Sequence, residues 1–125
     1  MTDHPHSLLP HHRLVAYGVS LEFLRAVLDA RISDAKLRDE AERAAKGTCL
    51  NLAEGAGRSS RADKARAYTV ARGELIEAIA AVEIAAMCGS AMRETVPRVV
   101  ELGNKLRTAN PPKTGSIDRR EHRVD

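Results

Sequence analysis

A chain of 125 residues with two cysteines and no tryptophan has the length of one domain and can bury a core without disulfides or a structural metal. Its net charge of +3 sits at one end: residues 1–104 carry 14 Lys/Arg against 14 Asp/Glu, and residues 105–125 carry six against three, which describes a basic tail and not a uniformly basic domain. No apolar run reaches the roughly 18 residues of a membrane span and no leader-like segment opens the polar N-terminus, so the expectation is a cytoplasmic protein without membrane association, with Cys49 and Cys88 as reduced core filler.

Residues 1–12 hold two prolines and His4, His6, His11 and His12, and read as a flexible His-rich arm. The histidine spacing fits no closed metal site, so no metal and no cofactor is expected. Tyr17, Phe23 and Tyr68 are the only aromatic residues. The core must therefore come from Leu, Val, Ile and Ala, a composition that favours close-packed helices.

Helix 1 is expected from Arg13 to Ala30. Leu14, Tyr17, Leu21, Leu24 and Leu28 form one apolar stripe, and Val15, Val19, Phe23 and Ala26 form a second on another side of the helix. Ser33 or Asp34 caps helix 2, whose buried stripe is Leu37, Ala41, Ala44, Thr48 and Leu52. Gly55 and Gly57 are expected to end it through a left-handed turn. Ser60-Arg61-Ala62-Asp63 resembles a capping box at the start of helix 3, which should run to about Met87. From Leu75 to Met87 only Glu77 and Glu83 are charged, so that helix should be covered on most sides. Gly73 lies mid-helix, where it costs about 1 kcal/mol relative to Ala, and close approach of a neighbouring helix is the expected reason. Helix 4 spans about Thr95 to Thr108, with Pro97 in its first turn and Val96, Val99, Val100, Leu102 and Leu106 as its buried side. Asn110-Pro111-Pro112 stops it. The expected organisation is an arm (1–12), an all-α up-down four-helix bundle (13–108) and a disordered basic tail (109–125), with Leu21, Leu52, Leu75 and Ile79 in the core.

Residues 47–78 carry a more specific signal: Asn51-Leu52-Ala53-Glu54-Gly55, then Gly57-Arg58, Tyr68, Ala71-Arg72-Gly73 and Glu77, preceded by Arg43-Ala44-Ala45. This stretch resembles the signature of the four-helix-bundle protein family of bacterial 23S rRNA intervening sequences. Cys49 stands where that family often has Pro, and the Trp often found in its helix 1 is missing. The resemblance implies an up-down bundle that assembles into a homo-oligomeric ring, commonly a pentamer. A related branch serves as the accessory variability protein of diversity-generating retroelements, which implies a reverse transcriptase and nucleic acid as possible partners.

Three groups of residues are candidates for function. Asn51 and Glu54 lie three apart on one helical face, and with Gly55, Gly57, Arg58 and Gly73 make up the structural motif. Asn51 is expected to bond free carbonyls near the end of helix 2, and Glu54 to pair with Arg58. Arg58, Arg61, Lys64 and Arg66 place four cations at the start of helix 3, where the helix dipole adds positive charge and phosphate binding to an RNA or DNA backbone is reasonable. The scarcity of aromatics argues against base stacking. Val15, Val19, Phe23, Ile79 and Val82 are the candidate oligomer interface, because two apolar stripes exceed what one bundle core needs. No Glu-x-x-His pair and no His between His12 and His122 is present, which removes the di-metal carboxylate site of helical bundles and hydrolytic triads. No phosphate-binding glycine loop follows a strand. The expected function is therefore a non-enzymatic, self-assembling scaffold or accessory protein acting through partners. Backbone-directed nucleic-acid binding is the alternative.

Overall fold

Three short segments that cannot continue a helix fold the chain back on itself. The computed structural model describes residues 9–109. It contains α1 (Val15–Asp29), α2 (Ala35–Gly57), α3 (Arg61–Met87) and α4 (Val96–Ala109), with 3-10 turns at Pro10–Arg13 and Arg93–Thr95 and no strand among the described residues. His4, His6 and residues 110–125 of the expected basic tail lie outside the described residues, whereas Pro10, His11 and His12 of the expected arm join Arg13 in a turn in which His12 Nδ1 accepts a 3.1 Å bond from the Leu9 amide.

Local chemistry sets most of the helix ends. Asp34 Oδ1 accepts from the Leu37 amide at 2.9 Å and Ser60 Oγ from the Asp63 amide at 3.0 Å. Each satisfies a donor that the first turn leaves free. Pro97 is the second residue of α4, where its missing N–H costs nothing. Arg31 closes α1 at φ +45° and Gly89 follows α3 at φ +77°. Only the second is comfortable there, since a β-carbon strains the left-handed region.

Each helix packs against the two that neighbour it round a square: α1 against α2 and α4, and α3 against α2 and α4. The amide of Ser33 donates to Ser90 O at 2.8 Å, and that of Met92 to Ala30 O at 2.9 Å. These bonds join the α1–α2 and α3–α4 loops at one end, so the helices run alternately up and down. No helix among the described residues is long and apolar enough to cross a membrane.

Small residues let the helices approach closely. Ala16, Ala26, Ala41, Ala45, Ala71, Ala78 and Ala85 are buried, and Phe23, Leu52, Leu75, Leu102 and Leu106 fill the space between them. Gly103 of α4 makes room for the side chain of Ile79, which a β-carbon there would meet at 2.5 Å, with Phe23 alongside.

The core corrects several expectations. Of the two stripes on α1, the one expected at an interface is the core: Val19, Phe23 and Ala26 are buried, as is Val82 on α3. Val19, Phe23 and Val82 are thus not interface residues of the folded chain. Ile79 is half-buried against the core and Val15 is 74% exposed. Leu21, expected inside, is 45% exposed. The charged positions Glu22, Arg25 and Asp29 lie between the two stripes, so periodicity treats both alike. Leu52 and Leu75 are buried as expected. Of the two cysteines, Cys49 is buried and Cys88 exposed, because Cys88 falls just past the last turn of α3.

Candidate functional site

The corner between α2 and α3 collects most of the residues singled out in the sequence. α2 ends at Gly57, as expected, but Arg58 leaves it with extended ψ of 152°, so no left-handed glycine closes it. Gly55 serves another purpose. A β-carbon there would stand 2.6 Å from Cε1 of Tyr68, and its absence lets the buried Tyr68 ring lie on the α2 backbone. Gly73 is the reverse case: it faces solvent, with nothing within 4 Å of a β-carbon, so no neighbouring helix of the chain explains it.

Asn51 acts across the seam and not at the helix end. Its Nδ2 donates to Gly47 O at 2.9 Å and to Glu74 Oε1 at 2.8 Å. The Glu74 carboxylate lies over Gly47, in space a β-carbon would occupy. Gly47 and Glu74 were not legible as a pair from motif alone. The signal was there in register, since folding the chain back at Ser60 sets residue 47 opposite residue 74. A hydrogen bond to a charged group contributes roughly 1.5–3 kcal/mol, and both partners here are half-buried. Asn51→Ala should therefore cost about 1–2 kcal/mol, measured as a shift in urea midpoint at unchanged slope.

On the solvent side of the corner, the four cations are brought together but mostly engaged. Arg58 pairs with Glu54, as its spacing implied. Arg66 reaches Asp63 at 3.2 Å. Lys64 Nζ donates to Ala56 O at 3.1 Å and Gly55 O at 3.4 Å, placing its charge on the negative end of α2. Arg61 is exposed and has no ion-pair partner among the described residues. A shallow groove lies between the helices here, lined by Asn51, Glu54, Arg58, Asp63, Arg66, Ala67 and Val70. The arrangement braces the turn: each acid has a cation beside it, and the exposed carbonyls at the end of α2 have Lys64.

Further along the seam, Glu77 on α3 meets Glu40 on α2. Its carboxyl is held above the usual range, first by a hydrogen bond with Glu40, then by desolvation and the like charges of Glu40 and Glu74, with Arg43 opposing. Cys49 donates its thiol to Ser20 O at 3.3 Å, and burial pushes that thiol up despite the bond, which suits packing and not nucleophilic chemistry.

A comparison with curated proteins finds no match to the chain. The family model described as 23S rRNA-intervening sequence protein matches residues 15–108. This span runs from the first residue of α1 almost to the end of α4 and includes the Asn51–Arg58 corner. With three quarters of its length matched from helix to helix, the chain belongs to the 23S rRNA-intervening sequence protein family.

Proposed function

We propose that this protein is a non-enzymatic, self-assembling helical scaffold that acts by presenting its bundle to partners. The observation supporting this reading is an apolar face on α3 turned away from the core. Ile76 and Ile84 are about half exposed and Met87 is 84% exposed. With Gly73 and Ala80 they recur every three or four residues along one side. A soluble monomer rarely leaves so continuous an apolar strip open to water, and a second copy is the usual cover. Leu21 adds exposed apolar surface on α1, at the diagonal corner. The interface candidates are accordingly Leu21, Ile76, Ile84 and Met87, in place of Val19, Phe23 and Val82. The family resemblance implies a closed ring of five.

Light scattering on the purified chain tests the reading. A particle larger than one 13.6 kDa chain is expected at micromolar concentration, with about 68 kDa corresponding to five chains. A monodisperse species of one chain mass would overturn it. Ile76→Asp and Ile84→Asp should release smaller species while leaving the helical content intact, since a charge buried at an interface without a partner is costly and neither residue belongs to the core.

A second reading, binding to an RNA or DNA backbone, draws on Arg61 and on the exposed guanidinium groups of Arg58 and Arg66 at the start of α3. Its test is fluorescence anisotropy with structured RNA and duplex DNA across a salt series, where each phosphate contact contributes about 0.7–0.9 to the logarithmic slope. Absence of binding at low salt would sink it.

A further inference from the structure

Two corners of the bundle are apolar on the outside, and they stand diagonally. On α3, Thr69, Gly73, Ile76, Ala80, Glu83 and Met87 recur at steps of four and three, the spacing of a coiled-coil seam. On α1 and its N-cap, Leu14, Gly18, Leu21, Arg25 and Leu28 do the same. Gly18 and Gly73 each have open space where a β-carbon would stand, so nothing inside the chain explains either. The outer faces of α2 and α4 are mainly polar. Asp39, Arg43 and Lys46 are exposed on the first, with Leu50 beyond them, and Glu101, Asn104 and Thr108 on the second. Internal contacts fix the heights of the two apolar strips. α1 and α3 both rise towards the joined loops, α1 ending at Asp29 and α3 at Met87. Lower down, Phe23 and Ile79 both lie beside Gly103. Phe23 is thus roughly level with Ile79, and Asp29 with Met87.

We infer that the outer face of α3 packs on the outer face of α1 of the next copy, with the two helices parallel and at the same height. A rotation that closes a ring about an axis along the helices neither reverses nor raises them, so the heights within one chain carry over to the contact. Gly18 then comes opposite Ile76, Leu21 opposite Ala80 and Leu14 beside Gly73, and each time a large side chain meets a small one. Leu28 lies against Ile84 and Met87 at the loop end. Arg25 comes opposite Glu83, and Asp29 opposite Arg93. Arg25 and Asp29 line a groove between α1 and α4, and Glu83 and Arg93 line one between α3 and α4. All four therefore stand on the α4 side of their own chain, and the rotation keeps that side in common. All four are exposed, and none has an ion-pair partner among the described residues. Glu74 is engaged with Asn51 and Glu77 lies on the α2 side beside Glu40, so neither competes for Arg25. Two different faces that mate head to tail generate a ring, whereas one face mating with itself stops at a pair. Because α1 and α3 are diagonal, closing five copies needs each contact to lean about 36° from the diagonal, half the rotation between neighbours. The rounded surfaces of two helices allow that lean. The inference rests on the self-assembly reading and names the two faces and the orientation which that reading leaves open.

Blocking one face in each of two full-length variants tests it, with association measured by sedimentation and folding checked by far-ultraviolet circular dichroism. Leu21→Asp and Ile76→Asp, both at exposed positions, should each leave single chains. An equal mixture of the two should give a particle of two 13.6 kDa chains and nothing larger, because one intact α3 face still meets one intact α1 face. A charge-swap pair checks the register. Arg25→Glu and Glu83→Arg should each weaken association by about tenfold, since attraction becomes repulsion, and the double variant R25E/E83R should recover it. If the wild type associates but the mixture stays as single chains, the contact between α3 and α1 is wrong while self-assembly stands. The same holds if Leu21→Asp assembles like the wild type, or if the charge swaps leave the affinity unchanged or unrecovered. A wild type that stays monomeric overturns the self-assembly reading itself.

Discussion

Phe23→Ala is expected to remove about 3–5 kcal/mol of stability. The ring is completely buried in a core that has no other phenylalanine and no tryptophan. Its edge lies beside Gly103, whose missing β-carbon leaves room for the Ile79 side chain next to the ring. Alanine-rich helices held together by their backbones cannot collapse into the vacated volume, so a cavity term adds to the lost transfer energy. A domain of this size has roughly 5–15 kcal/mol to lose. The variant should therefore unfold at a much lower urea concentration, and equilibrium denaturation followed by circular dichroism reads the difference. Leu21→Ala is the matched control on the same helix. Its side chain is half in water, so its loss should be small, and a large loss in the isolated chain would place the wrong stripe of α1 in the core.

Gly55→Val should be the most damaging change at the α2–α3 corner. The added β-carbon would stand 2.6 and 3.0 Å from two carbons of the Tyr68 ring and 3.1 Å from Ala67 Cβ. The ring is buried between the helices and the alanine is fixed to α3, so neither can swing away. The helices must separate, and overpacking of this kind typically costs about 1–3 kcal/mol. Separation would also lengthen the nearby bond from Asn51 to Glu74. Gly57→Ala, two residues on, makes the contrast. Nothing lies within 4 Å of its β-carbon and its φ is not positive, so the substitution should be neutral or gain a few tenths of a kcal/mol. Thermal melts of the two variants should move apart, and equal melts would mean that Tyr68 does not rest on Gly55.

These two glycines show what is legible in such a sequence. The helix ends at Asp34, Ser60 and Pro97 could be read directly, because a cap or a missing amide acts within one turn and needs no tertiary partner. The Glu54–Arg58 pair is legible for the same reason. Gly55, Gly57 and Gly73 are chemically the same residue, and their roles depend on what lies across from them. Gly55 was expected to end a helix and instead seats an aromatic ring, whereas Gly73 was expected under a helix and faces water. The two stripes of α1 could not be ranked because both border the same charged sector. Asn51 was recognised as structural, but its partner Glu74 is 23 residues away, beyond the reach of any local pattern. The four cations of the corner were read as a group from their spacing alone. Their engagement with Glu54, Asp63 and the α2 carbonyls required the fold.

The absence of tryptophan gives the seating of Tyr68 on Gly55 a practical value. Ultraviolet signals from this chain come mainly from two tyrosines. Tyr17 stands 4.8 Å, centre to centre, from the edge-on ring of His11 near the N-terminal turn, and Tyr68 is locked between α2 and α3. Near-ultraviolet circular dichroism depends on an aromatic group being held in an asymmetric, fixed setting. The molecule therefore carries its own optical gauge of the α2–α3 seam, separable from the N-terminal turn by replacing Tyr17 with Phe. Loosening of that corner by a partner, a salt or a substitution can be watched without attaching a label.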